Sequence, residues 1–327
     1  MNLMQSTARE ELPRRPPLAQ CWRAALRPAS LPKILLPIGV GVALALAGHA
    51  PHPVSGILLV SLAGLLLQAA IVLLNDLADA DADREHMLRH PSSLGPRVIP
   101  LGWLSPRAVG LAGSAALLAF AFFTQLREAT GGAHSLGLLA VAAMLLPLLY
   151  SFPPARLNYR GGGELLETFG VGLLLPWLGW GYCGLPLGDY PLLWSLPALG
   201  LAASSALGSG LGHVAMDRHT GKRTLAVLLG PRRVARLALL LLGTVITGLS
   251  LFLHSRSDLP ALQWAMALAL PVFTLLPSVR MLVQSADMPA RAHSTLADAV
   301  LKAFKLAQKQ VLLLCWLALI LLARVFG

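Results

Sequence analysis

Charge is scarce in this chain. Only 13% of its 327 residues are Asp, Glu, Lys or Arg, roughly half the share found in an ordinary soluble domain. With 56% of the residues hydrophobic and a mean hydropathy of +0.67, a chain of this length cannot hide its apolar surface from water. That excludes a water-soluble globular enzyme and a disordered chain, and makes lipid the solvent for most of the protein. Cysteine is scarce too. Cys21, Cys183 and Cys315 are far apart and odd in number, which excludes a disulfide framework and zinc-type spacing. Acids are outnumbered by Lys and Arg, 15 against 26, giving a net charge of +11. There is no zinc spacing and no basic stripe with interleaved aromatics, so no nucleic-acid partner is expected. The polar, Pro- and Arg-rich stretch up to Lys33 lacks the apolar core of a removable signal peptide.

What the chain has instead is long apolar runs. A spanning helix needs roughly 20 mostly apolar residues, and nine stretches qualify: 34–49, 54–74, 106–125, 135–150, 164–183, 191–212, 234–254, 260–282 and 306–325. The first and fourth are short, and Pro37, Pro147, Pro176, Pro197 and Pro271 fall within spans, where packed membrane helices tolerate them. With the N-terminus in the cytoplasm, 23 of the 26 Lys and Arg residues fall on the cytoplasmic side; only Arg127, Arg256 and Arg324 do not. This asymmetry predicts an all-α integral membrane protein of nine transmembrane helices, N-in and C-out. It divides into a cytoplasmic segment (1–33) and a single membrane domain (34–327).

Ionisable groups at membrane depth are functional candidates by default. The acids gather where the second span ends, in Asn75-Asp76-Leu77-Ala78-Asp79-Ala80-Asp81-Ala82-Asp83. If the helix continues, Asp76, Asp79 and Asp83 share one face with Asn75 at its flank, and Asp81 faces the other way. Three stacked carboxylates repel one another and require a positive partner. Hard Mg²⁺, which takes carboxylates together with substrate phosphates, is the simplest one. An acidic, solvated helix end is the plainer alternative.

A second polar patch follows the sixth span, His213-Val-Ala-Met-Asp217-Arg218-His219-Thr220-Gly221-Lys222. His213 and Asp217 are i, i+4 neighbours, Gly221 can end the helix, and Lys222 offers charge to an anion. A capped helix end with topogenic bases reads the same way. The two patches end the second and sixth spans on one side, so two similar half-bundles facing one cavity would bring them together. Between them runs a Pro/Gly-rich loop from Tyr150 to Glu164 that carries Arg156 and Arg160; a plain connector is its simplest reading.

Asn75-Asp76-x-x-Asp79-x-x-x-Asp83 resembles the NDxxDxxxD motif of the UbiA superfamily of intramembrane prenyltransferases. Arg27-Pro28-Ala-Ser-Leu31 is similar to that family's entry segment. The stretches Gly95-Pro96-Arg97-Val98-Ile99, Pro154-x-x-Leu157-x-Tyr159-Arg160-Gly161-x-Gly163-Glu164 and Asp217-x-x-x-Gly221-Lys222-x-Thr224 most resemble the branch that prenylates 1,4-dihydroxy-2-naphthoate for menaquinone. One departure stands out. The family's second motif has an acid four residues before the position of Asp217, and here His213 occupies it, a poorer Mg²⁺ ligand than a carboxylate.

The resemblance implies a UbiA-like helical bundle in the cell inner (cytoplasmic) membrane that transfers a polyprenyl group from its diphosphate to an aromatic acceptor, as in quinone or meroterpenoid biosynthesis. It implies that Asp76, Asp79, Asp83 and Asp217 hold Mg²⁺. Asn75, Arg97, Tyr150, Arg160, His213 and Lys222 then serve the substrates: the bases meet the leaving pyrophosphate, and the ring of Tyr150 faces the allylic cation. Two readings share this chemistry, a UbiA-type membrane terpene cyclase and a non-catalytic homologue that binds isoprenoid diphosphate. A carrier places its binding groups at broken helices near the midplane, and a CDP-alcohol phosphotransferase carries a DGxxAR signature that this chain lacks.

Overall fold

The structure is a computed structural model that describes residues 14–89, 97–211, 214–254 and 296–326. Every regular element among the described residues is helical. They are α1 (Leu18–Leu26), α2 (Pro32–Ala47), α3 (Pro53–Ala78), α4 (Ala80–Arg89), α5 (Pro106–Ala129), α6 (Leu136–Ser151), α7 (Gly163–Phe169), α8 (Leu175–Tyr182), α9 (Ser195–Gly210), α10 (Val214–His219), α11 (Leu225–Leu229), α12 (Pro231–His254) and α13 (Leu296–Phe326).

Helix starts follow local chemistry. α2, α3, α5 and α12 all open on proline, whose fixed φ suits the first turn and whose missing N–H costs nothing there. α5 is also capped by Ser105, whose side chain accepts from the amide of Ala108 at 3.2 Å. A helix occupies each predicted span except 260–282, which lies outside the described residues. The span expected at 164–183 is not one uniform helix. α7 and α8 are joined by a π-helical turn, Gly170–Leu174, a widening that hydropathy alone does not reveal and that often marks a functional site.

Among the described residues four helices are long and apolar enough to cross a membrane: Pro53–Ala78, Pro106–Ala129, Leu192–Gly210 and Gln308–Val325. A fifth is added if Leu18–Ser30 and Pro32–Ala47, bent by 48°, count as one broken span. Leu58, Leu111, Leu118, Phe122 and Leu321 are exposed on the outer faces. Such surface is costly in water and costs nothing in hydrocarbon, so the molecule is an integral membrane protein.

Inside the bundle, α3 packs on α5, α9 on α12, and α2 on both α8 and α13. The α2–α8 contact is close enough to require glycine. A Cβ on Gly41 would lie 1.7 Å from the carbonyl oxygen of Pro176, and one on Gly179 2.3 Å from that of Ile38. Small residues of this kind let membrane helices approach backbone to backbone. Helix α1, in the segment that precedes the first expected span, packs on the bundle. Cys21 and Ala25 of α1 are buried with Val72, Leu73, Val98, Ile99 and Val109, which brings Arg27 to the end of α3.

Candidate functional site

Polar groups gather at one end of the bundle, where α3 ends, α6 passes into α7, and α9 gives way to α10. The α3 helix stops at Ala78 and Asp79 joins it to α4, but the hydrogen-bond ladder carries through: the Asp79 amide donates to Asn75 O and the Asp83 amide to Asp79 O. The helical spacing therefore holds across the joint. Asp76, Asp79 and Asp83 are all buried, whereas the Asp81 side chain is fully exposed.

Each buried acid meets a base. Asp76 pairs with Arg27 and, at 3.3 Å, with Arg97, which also reaches Asp83 Oδ2 at 3.3 Å. Asp79 takes Lys222 Nζ at 2.7 Å on Oδ2 and the Tyr159 hydroxyl at 3.1 Å on Oδ1. The Lys222 contact joins the two motifs, 143 residues apart. Asp217 is buried beside them, its Oδ2 3.4 Å from the Thr224 hydroxyl and its carbonyl accepting from the Lys222 amide at 2.8 Å. At the rim, His219 Nε2 lies 3.5 Å from Glu85 Oε1, linking α10 to α4.

Burial dominates the electrostatics. It pushes the carboxyl of Asp217 up to about 6 against the pull of Lys222. It raises Asp83 from the ordinary carboxylate range against the pull of Arg97. Burial first, and the Asp79 carboxylate next, raise the Tyr159 phenol, so Tyr159 keeps its proton and acts as a donor at neutral pH. Four buried acids face three bases, and Asp83 Oδ1 is buried without a hydrogen-bond partner. The cluster holds spare oxygen-donor capacity. Among the described residues no three His, Cys, Asp or Glu side chains converge on a ready metal cage.

The remaining expected site residues divide. Asn75 accepts the Ser151 hydroxyl at 3.2 Å, and both line an adjoining cavity with Tyr150. Arg160 is exposed. The arginine that turns inward from this loop is Arg156, whose guanidinium sits 3.7 Å over the Tyr159 ring, with Lys222 5.2 Å from the same ring. Arg156 adopts φ 41° at the head of a 3-10 turn, Leu157–Tyr159, and this turn sends Arg156 and Tyr159 inward. His213 lies outside the described residues.

Two other contributors stood in the matched motifs but were not among the expected site residues. Arg27 holds a left-handed conformation, φ 47°, a strained state for a non-glycine residue that costs about 1–3 kcal/mol and concentrates at functional sites. Glu164 accepts the Leu225 amide at 2.7 Å, tying the start of α7 to that of α11.

A membrane helical bundle with paired buried acids and bases gathered at one end of its spans has the make-up of an intramembrane enzyme. The UbiA prenyltransferase family profile matches residues 34–297, and the chain belongs to that family. A UbiA homologue from Archaeoglobus fulgidus bound to DMAPP and Mg²⁺ superposes with a TM-score of 0.62 at 17% identity, covering 94% of this chain and 99% of the homologue. A digeranylgeranylglyceryl phosphate synthase gives 0.60 at 15% identity with the same coverage. An apo UbiA homologue from Aeropyrum pernix K1 gives 0.55 at 16% identity, covering 85% and 96%. At these identities the likeness is one of fold. No curated protein sequence matches the chain.

Proposed function

We propose that the chain transfers a polyprenyl group from its diphosphate to a ring carbon of an aromatic, naphthoate- or benzoate-like acceptor, with Mg²⁺ as cofactor, as in the making of quinones or meroterpenoids. The observation that carries this reading is the Lys222–Asp79 contact, where bases and acids from the two motifs interleave. Asp76, Asp79, Asp83 and Asp217 offer hard oxygens in a site where Asp83 Oδ1 is buried and unpartnered, a donor set that suits Mg²⁺, which uses a few carboxylates and completes its shell with phosphate and water. When bound, the metal supplies Lewis-acid neutralisation of a diphosphate.

This chain's own groups do the rest. Arg97, Arg27 and Lys222, now held by the acids, transfer their hydrogen bonds to phosphate oxygens when the donor binds. There they stabilise charge as the allylic C–O bond breaks and pyrophosphate leaves with the electron pair. Tyr159 donates to Asp79 and fixes its rotamer. The allylic cation is then attacked by an electron-rich ring carbon, a C–C bond forms, and the displaced ring proton passes to a base.

Homologues bound to DMAPP or GPP with Mg²⁺ support the donor. The fold alone leaves the acceptor open, since a digeranylgeranylglyceryl phosphate synthase shares it. The aromatic acceptor rests on the loop from Pro154 to Glu164 and its likeness to the naphthoate branch. The same reading takes nine spans with the N-terminus inside and the site on the cytoplasmic side of the inner membrane, following the distribution of Lys and Arg. The test is pyrophosphate release by the purified chain from geranylgeranyl diphosphate, with and without Mg²⁺ and a hydroxynaphthoate. Release that needs both is expected. Release with no need for acceptor turns the reading to a cyclase, and no release at all refutes it.

A further inference from the structure

Beside the acid cluster lies a cavity of about 300 Å³, walled by α2, α3, α6, α7 and the π-helical turn. Most of its wall is apolar, as a prenyl chain requires. Its mouth is not. Lys33 Nζ lies 2.5 Å from Glu167 Oε1, Gln68 Nε2 donates to Ser30 Oγ at 2.6 Å, and Arg27 and Asn75 complete the rim. The Lys33–Glu167 pair takes no part in the acid–base cluster described above. A polyprenyl tail has nothing to offer an ion pair and a hydrogen-bonded Gln–Ser couple. A ring bearing an acid and a hydroxyl does.

We propose that this rim is the acceptor's polar subsite and that Lys33 selects acceptors carrying a carboxylate. The proposal rests on the transferase reading above and adds to it the group that reads the acceptor. Three observations meet here. Arg27 and Lys33 are the bases of the rim, and each already faces one acid, Asp76 and Glu167, so an entering carboxylate meets basic donors and no uncompensated acid. Lys33 faces Glu167 Oε1 as an ion pair that leaves this buried oxygen without a hydrogen bond, so the ammonium donors remain for a carboxylate. Glu167 sits one turn before the π-helical turn, whose Gly170, Val171 and Leu174 line the same cavity; this widened turn leaves space beneath the rim for a flat ring. Glu167 then accepts a hydrogen bond from a ring hydroxyl, which fixes the ring with its carbon edge toward the donor at Asn75 and Asp76. Lys33 and Glu167 are positioning residues in this scheme. No proton or electron moves through them.

The test uses the full chain in detergent and two matched pairs of ligands, 1,4-dihydroxy-2-naphthoate with 1,4-dihydroxynaphthalene, and 4-hydroxybenzoate with phenol. Binding is measured by calorimetry and prenylation by steady-state kinetics, for wild type, Lys33→Met and Glu167→Gln. A charge-assisted hydrogen bond is worth about tenfold or more in affinity. Lys33→Met is therefore expected to weaken the preferred carboxylated ligand by at least that factor in Kd and KM, with kcat little changed and its decarboxylated partner unaffected. Glu167→Gln, which keeps an acceptor oxygen, is expected to retain the carboxylate preference. Equal losses for both members of a pair, or none for either, overturn the subsite while leaving the transferase reading in place. A wild type that ionises the donor yet neither binds nor prenylates any of the four overturns both.

Discussion

Asp79→Asn isolates charge from shape. The asparagine keeps an Oδ1 that accepts the Tyr159 hydroxyl at 3.1 Å and replaces only the oxygen that meets Lys222 at 2.7 Å. Opposite charges about 4 Å apart attract by about 4 kcal/mol at an effective dielectric near 20. Part of that offsets the desolvation of two buried groups, and if about 3 kcal/mol of it acts on the transition state, the rate falls about a hundredfold. Asp81→Asn, two residues on, alters a fully exposed side chain and is expected to cost less than about threefold, the scale of a surface ion pair. The assay is single-turnover release of pyrophosphate at saturating Mg²⁺ and donor, with the folded fraction of each variant checked by size exclusion. Equal losses at Asp79 and Asp81 would refute the one-face arrangement, and a loss below about threefold at Asp79 would refute its charge as a catalytic asset.

Three further expectations follow from other parts of the molecule. Gly41→Ala places a Cβ 1.7 Å from the Pro176 carbonyl oxygen and is expected to cost about 1–3 kcal/mol through overpacking; Gly188→Ala, with no atom within 4 Å, is the control, and equal thermal midpoints for the two would show that α2 and α8 do not pack as described. Single cysteines at positions 220 and 187 are expected to label from the cytoplasm and from the opposite side; labelling of both from one side contradicts the nine-span topology. His213→Asp restores a carboxylate four residues before Asp217, and Mg²⁺ titration is expected to give tighter metal dependence with activity kept or raised; unchanged metal dependence with lost turnover would mean that the imidazole has a role of its own.

The all-helical membrane character was legible because lipid imposes one simple rule, length and apolarity; among the described residues four helices, or five with the bent pair, meet that rule as whole spans. The acid face was legible because helical period fixes which of Asp76, Asp79, Asp81 and Asp83 share a side, and the hydrogen-bond ladder holds through Asp79. What was not legible arrives by tertiary packing or by local departure from regular geometry. Arg27 looked like one more base before the first span until α1 packed on α3 and turned it onto Asp76. Arg156 and Arg160 are alike by type and spacing, and only the left-handed residue before the 3-10 turn decides that Arg156 faces Tyr159. Lys33 and Glu167 lie far apart in sequence, each plausible as a span-end charge, and the cavity between α2 and α7 gives them a common task. The π-helical turn leaves hydropathy unchanged and so leaves no trace in composition.

The claim on which the rest depends is that donor and aromatic acceptor are joined at a carbon. Mass spectrometry of the lipid extract, after incubating the purified chain with geranylgeranyl diphosphate, Mg²⁺ and 1,4-dihydroxy-2-naphthoate or 4-hydroxybenzoate, addresses it directly. The account predicts an acceptor that has exchanged one ring hydrogen for a geranylgeranyl group, formed only with Mg²⁺ and lost in Asp79→Asn. A cyclic or linear C20 hydrocarbon or alcohol as the sole product, with every acceptor recovered unchanged, would contradict it.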